Sequence, residues 1–296
     1  MRQMKFMRTL AAVFLSLTTV AAVAADLDEI KQRGVLRHLG VPYANFVTGS
    51  GDGLDVELMK GFAKHIGVRY QLVYSDFYNV TEDLLGQKVK VNSGVVTLEG
   101  SRPVRGDVIS TGFTRLPWRE QILLFSAPVF PSQVVLIAPA RSDLRPIAPG
   151  RSLQEDIKNT KALIGKRSVL VMERTCLDPT NYGLRGVGVE LRAYTKSTNI
   201  NEMVPAMLNS EADLSLLDVP DLLLDLKKWS GQFKVLGPIS EEQVLATAFP
   251  KDATELRSEF NKYLTHLKRS GQYDHLVDKY YPGIRNYFGE FFNKKP

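Results

Sequence analysis

Residues 35–74 constrain the fold more than any other part of this chain. Val35-Leu36-Arg37-His38-Leu39-Gly40-Val41 alternates in side-chain character and predicts a strand. Over residues 55–66 the apolar side chains of Val56, Met59, Phe62, Ala63 and Ile66 recur at helical spacing, and Gly67 closes the run. Residues 68–74 are extended again. Strand, helix and strand in so short a span make a βαβ unit, whose natural product is a parallel sheet covered by helices.

The pattern returns beyond Leu163. Strands are expected at 168–172, 189–194 and 213–217, helices at 199–209 and 221–229, and a short helix or loop at 177–184. A strand-like run at 244–249 and two helices, 254–269 and 273–281, close the chain. Residues 87–106 mix Lys88, Lys90, Arg102 and Arg105 with glycines and valines and are assigned no element; residues 139–150 are turn-rich. The two α/β halves meet at extended runs near 133–138 and 233–238. The chain is therefore expected to cross between two lobes and return, leaving a cleft that closes on a two-strand hinge. A single α/β domain is the alternative.

The N-terminus reads as an export signal. Arg2, Lys5 and Arg8 precede an apolar run at 10–20, and Ala21-Ala22-Val23-Ala24-Ala25 offers a cleavage site. Residues 1–24 are read as a secretory signal peptide and the periplasm as the destination; an uncleaved anchor is the alternative. Removing the three basic residues of that segment lowers the formal net charge from +6 to +3. No dense basic stripe is present, so no nucleic-acid partner is expected. Cys176 is the only cysteine, which rules out an intrachain disulfide.

Four stretches, in order, resemble the extracellular solute-binding proteins of the polar-amino-acid type, family three. They are Leu27, Ile30 and Gly34-Val35-Leu36-Arg37 with Gly53-Leu54-Asp55-Val56-Glu57-Leu58; Gly112-Phe113-Thr114-Arg115-Leu116-Pro117-Trp118-Arg119 with Phe125-Ser126-Ala127-Pro128; Leu163-Ile164-Gly165-Lys166 with Asp213-Leu214-Ser215-Leu216-Leu217-Asp218; and Leu264, Leu267-Lys268-Arg269-Ser270-Gly271-Gln272-Tyr273 with Lys279-Tyr280-Tyr281. The resemblance implies an α/β, two-lobe periplasmic-binding protein type II fold, each lobe a mainly parallel sheet flanked by helices. One lobe would comprise residues 25–132 plus 238–296, the other 133–237. It also implies delivery of a small carboxylate-bearing solute to an inner-membrane ABC permease by a monomer without metal or cofactor. Related chains serve as sensor domains, as the non-catalytic half of murein transglycosylases, and as periplasmic dehydratases. The stretch Lys-Tyr-Tyr-Pro is similar to the transglycosylase-associated branch, while transglycosylase activity itself is not expected.

The resemblance also proposes site residues. Arg119 matches the arginine that takes the ligand's α-carboxylate, for which a planar guanidinium offers two parallel N–H donors; a surface arginine paired with Glu120 is the alternative. The family's usual Thr and acidic residue before this Arg are Leu116 and Trp118 here. Asp218 matches the aspartate that accepts from the α-ammonium, or else caps the following helix. Thr114 and Thr175 are candidate donors, the latter through a helix N-terminus starting at that residue. Arg174 offers a second positive contact or is solvated. Tyr43 and Trp118 are candidate aromatic walls, while Phe46 is read as packing under its loop. Asp55 is read as a helix-starting residue.

No glycine-rich phosphate fingerprint, metal-type Cys/His spacing or nucleophile elbow is present, and the four histidines are scattered. Capture without chemistry is therefore the expected mechanism. A dehydratase-like reaction using Glu173 or Asp218 as the acid is the enzymatic alternative, and a ligand-sensing accessory subunit is a third.

Overall fold

A computed structural model describes residues 26–92, 94–186 and 188–293. The export segment read at 1–24 lies outside the described residues.

Two five-stranded sheets organise the chain. In the first, the spatial order is Arg69–Tyr74, Val35–Gly40, Val108–Ile109, Ala248–Pro250, Leu123–Phe125. The βαβ unit forms as its periodicity predicts: Val35 pairs with Arg69 in a parallel register, and helix Leu54–His65 covers the sheet with Val56, Met59, Phe62 and Ala63 buried. The second sheet runs Glu190–Ala193, Ser168–Val171, Leu214–Asp218, Val134–Pro139, Phe233–Pro238. We call the bodies built on these sheets the first and second lobes. The chain is an α/β protein of the two-lobe type II periplasmic-binding class.

Each sheet is mixed rather than mainly parallel. Among the described residues, the βαβ portions give two parallel pairings per sheet, and the strands laid down where the chain crosses or returns give two antiparallel ones. A reversed strand is the direct result of leaving one lobe and re-entering it from the opposite side. The extended runs 134–139 and 233–238 pair with each other inside the second sheet. The crossing itself is a separate antiparallel ribbon, Phe130–Ser132 with Gln243–Leu245. The single strand expected at 244–249 is accordingly two: one belongs to the ribbon and the other, Ala248–Pro250, to the first sheet.

Residues 87–106, left without an element above, contain an antiparallel hairpin of Lys88–Asn92 with Val95–Glu99. Helices that were not anticipated include Val80–Leu85, Leu153–Ala162, capped by Ser152, Gly289–Asn293, and the short Pro117–Ile122, which matters for the site. Among the described residues no helix is long and apolar enough to cross a membrane.

Candidate functional site

Helix Pro117–Ile122 opens with proline at its first position, where a missing N–H costs nothing. Its two buried residues, Arg119 and Ile122, lie three apart on the inward face. Arg119 is only 2% exposed and is among the largest fully buried side chains. Its guanidinium carbon sits 3.8 Å from the centroid of the Phe113 ring and 5.2 Å from that of Trp118. Nη1 donates to the Thr114 carbonyl at 2.8 Å, and Nη2 crosses to the Arg174 carbonyl of the second lobe at 3.2 Å. Nε is buried with no partner. Burial lowers the pKa to about 9, and the groups that act on the charge are Cys176, Tyr182 and Arg174, none of them a carboxylate. Glu120 pairs with Arg115, not with Arg119.

Asp218 ends the apolar strand Leu214–Asp218 and is buried. It stands at the N-cap position of helix Val219–Lys228, but its side chain makes no capping bond. Instead the Tyr43 hydroxyl, from the first lobe, donates to Oδ2, and the Cys176 thiol approaches the same oxygen at 3.6 Å. Oδ1 has no partner. Burial raises the pKa to about 6, while the Tyr43 bond pulls the other way. Asp221 and Asp225, successive turns along the same helix, are also buried, each with an unpartnered Oδ2.

Tyr43 owes its placement to aromatic packing. Its ring stacks on Phe46 at 5.6 Å and meets the edge of Phe77 at 5.5 Å. Phe46 is core, as its loop position suggested. Gly112 adopts φ +59°, and a Cβ there would strike the Phe46 ring and Tyr43. The Gly112 N–H donates to Asp55 at 2.6 Å, so Asp55 braces this loop; Gly53, not Asp55, occupies the cap position of its helix. Burial pushes the Asp55 carboxyl up to about 7.

The helix N-terminus expected at Thr175 is not there. The Thr175 hydroxyl donates to the Met172 carbonyl at 2.7 Å and accepts from Leu177 N–H at 3.0 Å, which locks a turn. The helical turn begins only at Pro179, capped by Asp178. Arg174 is partly exposed but not free: at φ +62° it directs its guanidinium to Glu82 of the first lobe at 3.1 Å. Glu173 lines the rim of the inter-lobe cavity and is paired there with Arg185.

Beside Trp118 and Arg174, two neighbours of the Arg119 guanidinium, a cavity of about 870 Å³ opens between the lobes. Leu116, Pro117 and Trp118 form one wall, Arg174 and Asn181 another, with Asn92 of the hairpin and Gln243 of the crossing ribbon completing it. Of the residues sequence reasoning singled out, Arg174 and Trp118 line this cavity, whereas Arg119, Thr114, Thr175, Asp218 and Tyr43 are buried and do not. Sequence reasoning named no role for Tyr182, Glu82, Asp221 or Gln243. Among the described residues no cluster of His, Cys, Asp and Glu is placed to hold a metal.

Comparison with known proteins agrees with this architecture. The family described as bacterial extracellular solute-binding proteins, family 3, matches residues 97–283. A membrane-bound lytic murein transglycosylase F of Desulfosudis oleivorans is 25% identical over 233 residues, 78% of this chain and 44% of that protein. The chain thus spans under half of that relative. Holo ArgBP from T. maritima superposes with a TM-score of 0.62 at 24% identity, covering 86% of this chain and 99% of that one. An ancestral amino acid-binding protein, AncCDT-1, a precursor of cyclohexadienyl dehydratase, gives 0.64 at 21% identity, with 86% and 98% covered. At these identities the structural likeness speaks for the fold alone.

Proposed function

Because the chain belongs to the bacterial extracellular solute-binding proteins, family 3, we propose that it captures a small carboxylate-bearing solute between its lobes, in the periplasm, for an inner-membrane ABC permease. The lobes are assigned as residues 25–132 plus 238–296 and 133–237. One observation carries the reading: Arg119 is a buried cation with no carboxylate acting on it and an unpartnered Nε. Burying a charge without a counter-ion costs several kcal/mol, roughly, even after relaxation. An anionic ligand group offsets that cost. Two of the guanidinium's five N–H donors are spent on the Thr114 and Arg174 carbonyls. These bonds fix the plane and leave the rest for a carboxylate.

Because one anchoring carbonyl comes from each lobe, the guanidinium is fully oriented only when the cleft is shut. On this reading Asp218 and Thr175 are the second lobe's contribution to the closed site, while Trp118 and Arg174 line the cavity. Water is excluded on closure, which strengthens each charged contact and selects the closed state. A thermal-shift and calorimetric screen of amino acids and organic acids tests the assignment. A carboxylate that binds stoichiometrically and is recovered unchanged supports it; a screen whose hits are all cations or neutral compounds overturns it.

A second reading, a ligand-sensing accessory module, is favoured by the murein transglycosylase F relatives, of which this chain matches a part. Loss of solute uptake on deletion of the gene supports transport, and normal uptake with altered murein turnover supports the accessory role. The dehydratase alternative is less well served, because Glu173, one of its candidate acids, is already paired with Arg185 at the cavity rim. Consumption of the bound ligand, followed by NMR, would revive it.

A further inference from the structure

Asp218 is the group that would receive a ligand's ammonium, yet in this chain it already has a donor. We propose that Tyr43 stands in for that ammonium and that the cognate solute is an N-acylated amino acid, its carboxylate on Arg119 and its acyl part in the cavity beside Trp118. This rests on the carboxylate reading above and narrows it.

Three observations converge. The Tyr43 hydroxyl and the Cys176 thiol both address Oδ2 of Asp218, which leaves Oδ1 as its one open acceptor. An ammonium brings three N–H donors and, in a dry site, needs acceptors for all of them. The hydroxyl cannot simply swing aside, because the Tyr43 ring is fixed between Phe46 and Phe77 and backed by Gly112.

The second observation is space. About 870 Å³ lies against Trp118 and Arg174, both of which contact Arg119, a volume in the range that holds drug-sized ligands and generous for a free amino acid. The third is the chemistry of the wall. Gln243 donates its amide N–H to the Tyr182 hydroxyl at 3.1 Å, which fixes its orientation. Its Oε1 is buried and has no partner. A neutral acceptor beside the cavity suits one N–H of an amide. Leu116 and Trp118 supply apolar surface for an acyl chain, and Asn92 and Asn181 can serve its carbonyl.

Calorimetry on the purified protein decides, with the twenty standard amino acids, their N-acetyl forms and the matching des-amino acids as probes. At least one N-acetyl form is expected to bind tenfold or more tighter than its free amino acid. Tyr43→Phe, which returns Oδ2 to the ligand, is expected to narrow that gap below threefold by improving the free form. Gln243→Leu, which leaves Tyr43 in place, is expected to weaken the N-acetyl form about tenfold while sparing the des-amino acid. Equal or tighter binding of free amino acids by the unaltered protein overturns this inference and leaves the carboxylate reading intact. Binding of none of the three series overturns both.

Discussion

Arg174, in the second lobe, reaches Glu82 of the first at 3.1 Å, and the same Glu82 is already paired with Arg102 of its own lobe. The bond therefore ties the lobes together without any ligand, at a carboxylate whose position is fixed in advance. Arg174 adopts φ +62°, a conformation disfavoured for a side chain of this size. The Arg174 backbone is doubly constrained, since its carbonyl also accepts from Arg119.

Glu82→Gln should free this latch. Arg174 is 34% exposed, so the pair contributes at most about 1 kcal/mol to stability. The larger effect is expected on the balance between open and closed forms. The ligand-free radius of gyration from small-angle scattering should rise, while the melting temperature moves little. An unchanged scattering profile in the ligand-free state means the pair does not hold the cleft shut.

Arg119→Met separates binding from folding. Methionine fills a similar length over the Phe113 ring without a charge to desolvate. An unpaired buried ion carries a desolvation penalty of roughly several kcal/mol that an apolar side chain does not. The ligand-free protein is thus expected to melt at the same temperature or higher, and carboxylate affinity by calorimetry to fall at least tenfold. Retained affinity would remove Arg119 from the site.

Local periodicity made much of this legible. The βαβ unit and the closing helices Thr254–Arg269 and Gln272–Tyr280 fall within a residue or two of where their spacing puts them. The hairpin at Lys88–Asn92 and Val95–Glu99 was overlooked although Lys88-Val89-Lys90-Val91 alternates, because glycines and exposed valines disguise a strand pair that has no second layer. The helix start misplaced at Thr175 had its true signal three residues on: Asp178-Pro179 is a capping residue followed by proline. The bond from Tyr43 to Asp218 spans 175 positions and the Arg174–Glu82 pair spans 92. Contacts of that range leave no trace in local pattern, so resemblance could point to Asp218 but not to its partner.

Gly112 holds Tyr43 in place by being small. A Cβ at that position would lie 2.8 Å from the Tyr43 ring and closer still to Phe46, on a backbone at φ +59° that resists any L side chain. Gly112→Ala should therefore cost on the order of 1–3 kcal/mol, as overpacking does, and displace Tyr43 from Asp218. Urea unfolding measures the first effect and ligand selectivity the second. Wild-type stability in the variant would mean that the loop relaxes freely.

Asp221 provides a test in pH. It is buried between Asp218 and Asp225 on its own helix, with Lys228 further along, and it faces Tyr43 and Tyr281 of the first lobe. Burial first, then the neighbouring carboxyls, push its pKa well above the usual range, and Asp218 and Asp225 are each raised to about 6. An acid whose pKa is raised on folding binds more protons in the native state than in the unfolded chain. Its contribution is fully present below about pH 4 and is lost as the pH climbs through the folded value. His38, buried and lowered to about 4, acts in the opposite sense below its ordinary range, but it is common to the protein and its variant and cancels in a comparison. Asp221→Asn removes the ionising group and keeps the shape. At pH 7.5 it should stabilise the protein by about 1–3 kcal/mol, the scale of an unsatisfied buried polar group. The gain should shrink steadily as the pH falls toward 4. Chemical denaturation of both proteins across that range measures the difference directly. A gain that stays constant with pH would show that Asp221 does not change its protonation on folding.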